Sequence, residues 1–165
     1  MKKSFTLIEV LIYIAVLAII VSVASSFFLW VIRANTKTKA MREVLDNTRR
    51  AMEIMTYEIK EAESIYVPTS TFDSHPGQLS LETKKYLPEG ETTSYIDFYL
   101  CGTQLCLKKE SPNPITLTSD RVEVSNLVFS QIVTSGIPSI QINLQIDYKN
   151  QASITLTSTA SLRSY

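Results

Sequence analysis

Glu9 is the one formally charged side chain between residues 5 and 32, a stretch otherwise dominated by Leu, Ile, Val, Ala and Phe. A run of about 18 or more apolar residues is long enough to span a bilayer as a helix. A carboxylate at mid-membrane costs roughly 2.5–3.5 kcal/mol, so one that persists there marks a function or has a partner. Glu9 lies four residues into the run, about 6 Å along a helix, where that cost falls toward the interface. Two readings stand side by side: a carboxylate snorkelling at the edge of an ordinary anchor, and one awaiting a cation inside the apolar phase.

The second pair of residues with chemistry to offer is Cys101 and Cys106, the only cysteines of the 165-residue chain. A two-residue turn at Thr103-Gln104 sets them directly opposite on a hairpin, where a short Cα separation suits a disulfide. A turn at Gly102-Thr103 offsets them, and the bridge then needs a bulge. Zinc sites ordinarily need four ligands, and the chain holds one histidine, His75, in a Pro-Gly turn that reads as solvated. A disulfide therefore outweighs a metal wherever the domain is extracytoplasmic. Asp73, Asp97, Asp120 and Asp147 are scattered and lack the spacing of a calcium loop. There is no G-x-S-x-G, phosphate-binding glycine loop, H-E-x-x-H or C-x-x-C. No catalytic residue, metal ligand or cofactor is expected.

These residues need elements to hold them, and Gly and Pro divide the chain. All four glycines and all six prolines lie between Pro68 and Pro138. The first 67 residues can therefore form one continuous helix and the remainder a turn-rich domain. Trp30 reads as an interfacial anchor where the apolar run ends. Beyond it, Met41, Leu45, Thr48, Met52, Met55, Ile59 and Ala62 make one apolar stripe, with charged residues on the other faces. Such a stripe is a core face packed on the chain's own sheet rather than a coiled-coil seam.

Strict alternation from Ile140 to Tyr148, resumed at Ile154, Leu156, Ala160 and Leu162, reads as a long antiparallel hairpin. A strand over 122–133 precedes it. Strands at 95–100 and 105–108 form another hairpin, and a short strand covers 79–81 among loops. The fold class is α+β, one long helix with a membrane half and an amphipathic half, packed on an antiparallel β head. Lys+Arg and Asp+Glu number 16 each, so nothing draws the chain to nucleic acid in bulk. The basic cluster Arg33, Lys37, Lys39, Arg42, Arg49 and Arg50 reads as a solvated stretch of helix just past the bilayer.

Lys2-Lys3-Ser4 before Phe5-Thr6-Leu7-Ile8-Glu9-Val10-Leu11-Ile12 resembles the N-terminal cleavage and methylation segment of type IV pilin-like proteins. The resemblance implies cleavage by prepilin peptidase between Ser4 and Phe5, N-methylation of Phe5, and an assembly role for Glu9 opposite the charged terminus of a neighbouring subunit. The family usually has Gly before the cut; Ser4 is a small residue in its place. On this reading residues 1–4 are a leader, 5–32 the transmembrane half of the helix, 33–66 its amphipathic half, and 67–165 a globular, pilin-like head. The loosely patterned segments Arg49-Arg50-Ala51-Met52, Tyr57-Glu58-Ile59-Lys60-Glu61-Ala62, Phe98-Tyr99-Leu100-Cys101-Gly102-Thr103-Gln104-Leu105 and Ser161-Leu162-Arg163 are similar to J-type minor pseudopilins of type II secretion and related minor pilins. The partners implied are other pilin or pseudopilin subunits, the peptidase and an inner-membrane assembly platform. The place implied is the inner membrane, N-terminus cytoplasmic and head outside, and then the filament.

Two rivals remain at the level of sequence. Residues 1–24 can be a secretory signal cut after Ser22-Val23-Ala24, which leaves a soluble or membrane-anchored binding domain. The apolar run continues through Ile32, however, and a charge sits inside the supposed signal core. A positive-inside count sets Lys2 and Lys3 against Arg33, Lys37, Lys39 and Arg42, and favours the reverse orientation. The leader pattern, which requires a cytoplasmic cut, favours N-in.

Overall fold

A computed structural model of the chain describes residues 6–85, 87–110, 113–134 and 137–163. It divides into two compact units, residues 1–39 and 40–165. One helix, α1 (Leu7–Glu61), contributes to both.

In the first unit α1 is long and apolar enough to cross a membrane. Its apolar side chains, Leu7 through Ile32, are exposed on all sides. A helix apolar all round and unburied by its own chain calls for an apolar solvent. Its hydroxyls fit that solvent, because Ser22 and Ser26 donate to the carbonyls of Ala18 and Ser22, four residues back, at 2.8 and 3.0 Å. No free donor is then presented to lipid by these two residues.

In the second unit α1 buries Ala40, Val44, Thr48, Ala51, Met52, Met55, Glu58 and Ile59. The stripe expected from Thr48 onward is there. Its start is displaced: Ala40 and Val44 are buried, while Met41 is exposed and Leu45 only half-buried. The expected stripe averaged 3.5 residues per turn, whereas an unsupercoiled helix turns every 3.6, so extrapolating it back from Met55 drifts onto the neighbouring face.

α1 stops at Glu61, short of the continuous helix that the lack of breakers allowed. Tertiary pairing ends it: the Glu63 amide donates to the Glu82 carbonyl and the Tyr66 amide to the Ser80 carbonyl, both at 2.9 Å, which pulls Ser64–Ile65 into a sheet as β1. The Lys85 ammonium, 2.7 Å from the Glu61 carboxylate, closes the helix end from the side. That hydrogen bond, with the charges of Lys85 and Arg163 behind it, holds the Glu61 carboxyl below its ordinary pKa.

Two antiparallel sheets complete this unit, where a single sheet had sufficed for the sequence. The first runs β1-β2-β3-β4-β5, with β2 (Leu79–Thr83), β3 (Ser94–Cys101), β4 (Gln104–Lys109) and β5 (Ile115–Thr116). The second is a meander of β6 (Glu123–Thr134), β7 (Ile137–Tyr148) and β8 (Ala152–Ser161). Period two governs both. Ser94, Ile96 and Phe98 are buried and alternate with half-buried Tyr95, Asp97 and Tyr99. Ile140, Ile142, Leu144 and Ile146 are wholly buried. With Phe98, Phe129, Met55 and Ile59 they form one hydrophobic cluster. Each such side chain contributes about 1.5–3 kcal/mol by leaving water.

The loop over residues 71–78 docks on the outer edge of β6. Gly77 and Asp73 donate backbone hydrogen bonds to the Leu127 and Phe129 carbonyls, and the Leu127 amide donates to His75 Nδ1 at 3.0 Å. His75 stays exposed in its turn, as expected, and its Nδ1 is in addition a structural acceptor. Gly77 sits in a close approach: a Cβ would lie 3.0 Å from the Leu127 carbonyl oxygen and 3.1 Å from the Phe129 ring, so a larger residue requires the loop or β6 to give by a few tenths of an ångström.

Candidate functional site: the first helical turn and the cystine hairpin

Glu9 stands in the first turn of α1, half-buried in a segment whose neighbours are exposed. Thr6 precedes the helix, and its carbonyl accepts the Glu9 and Val10 amides at 3.1 and 3.3 Å. The Tyr13 hydroxyl, one turn on, reaches the Glu9 carboxylate at 3.5 Å, a long contact that orients more than it neutralises. Thr6-x-x-Glu9 has the spacing of a capping box, and the positive end of the helix dipole favours a carboxylate there by about 0.3–1 kcal/mol. That is less than the roughly 2.5–3.5 kcal/mol a carboxylate costs deep in a bilayer. The local structure therefore offsets part of the cost of Glu9 and leaves room for an external cation. Ser4 and Phe5, the residues of the expected cut, lie outside the described residues. Phe5 directly precedes the cap in sequence.

Cys101 and Cys106 are bonded, with their Cα atoms 5.9 Å apart. The turn is Gly102-Thr103, with Gly102 at φ +66°, a left-handed conformation open to glycine without strain. Cys101 pairs with Gln104 and Cys106 with Tyr99, so the cysteines are diagonal neighbours on one face. The bulge expected for this offset is not needed, since the β3–β4 register is continuous. Strand twist brings one diagonal closer than the 7–8 Å of a flat pair, within reach of a disulfide. By loop-closure reasoning the bond contributes about 2 kcal/mol. Thiol alkylation of the intact protein should label neither cysteine before reduction and both after it. Labelling without reductant would remove the bond from the native protein.

Glu58, which the sequence reading passed over, is 3% exposed, and its carboxylate meets the Lys109 ammonium of β4 at 2.6 Å. The signal was present: Ala51, Met55, Glu58 and Ala62 step by four, three and four, so a glutamate sits on the apolar face and needs a cation across from it. This pair joins helix to sheet. Among the described residues no cluster of His, Cys, Asp and Glu could hold a metal ion.

The family model of the prokaryotic N-terminal methylation motif matches residues 1–25. No curated protein and no solved structure matches the chain. The motif is that of structural proteins whose N-termini are processed by prepilin peptidase and which assemble with other pilin subunits. Residues 1–25 carry the prokaryotic N-terminal methylation motif, a prepilin-type segment similar to that of type IV pilin-like proteins.

Proposed function

We propose that the chain is a non-enzymatic minor subunit of a type IV pilus-like filament or of a type II secretion pseudopilus. Prepilin peptidase cuts between Ser4 and Phe5 and methylates the Phe5 nitrogen, and the chain waits in the inner membrane with its N-terminus cytoplasmic and its head outside. The assembly platform then extracts it into the filament, where Glu9 meets the Phe5 ammonium of an adjacent subunit. The observation that carries the reading is Glu9 itself, a carboxylate in the first turn of an exposed apolar helix, with no cation paired to it among the described residues. The Cys101–Cys106 bond agrees with a head in an oxidising compartment. The likeness to J-type pseudopilins supports the minor role, and its segment from Phe98 to Leu105 forms the β3–β4 hairpin.

Intact-mass measurement of protein from cells with active prepilin peptidase tests the proposal. The expected product lacks residues 1–4 and carries one added methyl group. A chain that retains Met1 overturns the processing. Loss of residues 1–24 would transfer the protein to the exported binding-domain reading.

A further inference from the structure

The two sheets have four edges, and three of them are closed to further pairing. β1 and β5 are two residues long, too short to template a strand. β6 is covered by the 71–78 loop, whose amides and His75 bond to its outer side, and the Val124 amide donates to the Thr103 carbonyl. β8 is different. It spans 10 residues, pairs with β7 without a register shift, and contains no charge and no proline. Among the described residues, no backbone hydrogen bond joins β8 to anything except β7. It thus carries none of the devices that protect natural sheet edges: brevity, bulge, lysine, proline or a covering loop.

We propose that β8 is an interaction edge whose occupant is the β8 strand of a second copy, added antiparallel across a two-fold axis normal to the sheet. The occupant follows from the other edges. With β1, β5 and β6 closed, one copy can offer another only its own β8, so the contact is isologous and ends at a dimer. An uncharged strand meets itself without the repulsion that like charges impose on direct cross-strand neighbours. The faces also match. With the axis at Thr157, Thr155 lies opposite Thr159 and Ser153 opposite Ser161, so the exposed Ser/Thr row continues across the junction. On the other face half-buried Ile154 lies opposite Ala160, and Leu156 opposite Ser158, each large residue beside a small one. Thr–Thr and Thr–Ser neighbours of this kind stabilise a sheet pairwise. The inference is independent of the filament reading, which rests on the first helical turn.

Cross-linking of the full chain in detergent micelles tests it. The native cysteines are bonded and none is free among the described residues, so one introduced cysteine is the sole thiol. Under mild oxidation Thr157→Cys, which faces its own copy, should give a covalent dimer, at least tenfold more than Ser153→Cys, which lies eight positions from its own copy. Thr155→Lys in the Thr157→Cys background should abolish the cross-link, and an unchanged urea midpoint would show the head still folded. Equal cross-linking at both positions, or a dimer that survives Thr155→Lys, overturns the proposal. So does a monomer that pairs at β8 only with a different subunit, an outcome that would give the edge another occupant.

Discussion

Glu9→Leu is expected to be cut and methylated normally and then to be lost from filaments, roughly a hundredfold relative to the parent chain. Two effects act in the same direction. The substitution removes the roughly 2.5–3.5 kcal/mol that a carboxylate can cost the membrane-resident subunit, which stabilises the state before assembly. It also removes the partner of a cation in the filament, and breaking a buried pair costs about 3–5 kcal/mol. Glu9 lies near the interface, where the first term falls away, so the shift is set by the second, and about 3 kcal/mol corresponds to about two powers of ten. The readout is the ratio of subunit in sheared filaments to subunit in membranes, with processing checked by mass. Helix capping alone predicts a smaller effect: losing about 1 kcal/mol at an N-terminus changes an equilibrium roughly fivefold. Incorporation equal to the parent, with normal processing, would end the assembly role of Glu9.

How far the sequence reaches depends on the range of the interaction that decides each feature. The apolar run and the Phe5-to-Glu9 pattern are local, so the exposed apolar half of α1 and the prepilin-type segment were legible without a structure. β7 was equally plain, because Ile140, Ile142, Leu144 and Ile146 each face the same core and period two leaves no second phase. The amphipathic half of α1 was legible in kind but misphased at Met41, where heptad-like spacing and the 3.6-residue turn part company. Features fixed by distant partners were not legible. The end of α1 is set by β2, some twenty residues on, and His75 earns its role from the Leu127 amide across 52 positions. The two-sheet division belongs to this class as well. In the cystine hairpin the turn chemistry left two registers open, and strand twist decided that the offset one could still be bridged.

The Glu58–Lys109 pair ties helix to sheet, and its two halves should respond unequally to mutation. Glu58 is 3% exposed, while the Lys109 side chain keeps 20% of its surface. Among the described residues Glu58 Oε2 has no hydrogen-bond partner, so Lys109 carries most of the neutralisation. Lys109→Met leaves a carboxylate inside the core and should destabilise the head by about 3 kcal/mol, the low end for breaking a buried pair because water can enter where the lysine side chain opens to solvent. Glu58→Gln leaves the cation closer to water and removes one charged hydrogen bond, for about 1.5 kcal/mol. The double variant Glu58→Leu/Lys109→Met replaces the pair by apolar volume and should return to within about 1 kcal/mol of the parent. Urea midpoints of the full chain in one detergent, compared at constant slope, give the three values. Equal losses in the two single variants, with no recovery in the double, would mean that the site is held by packing rather than by charge.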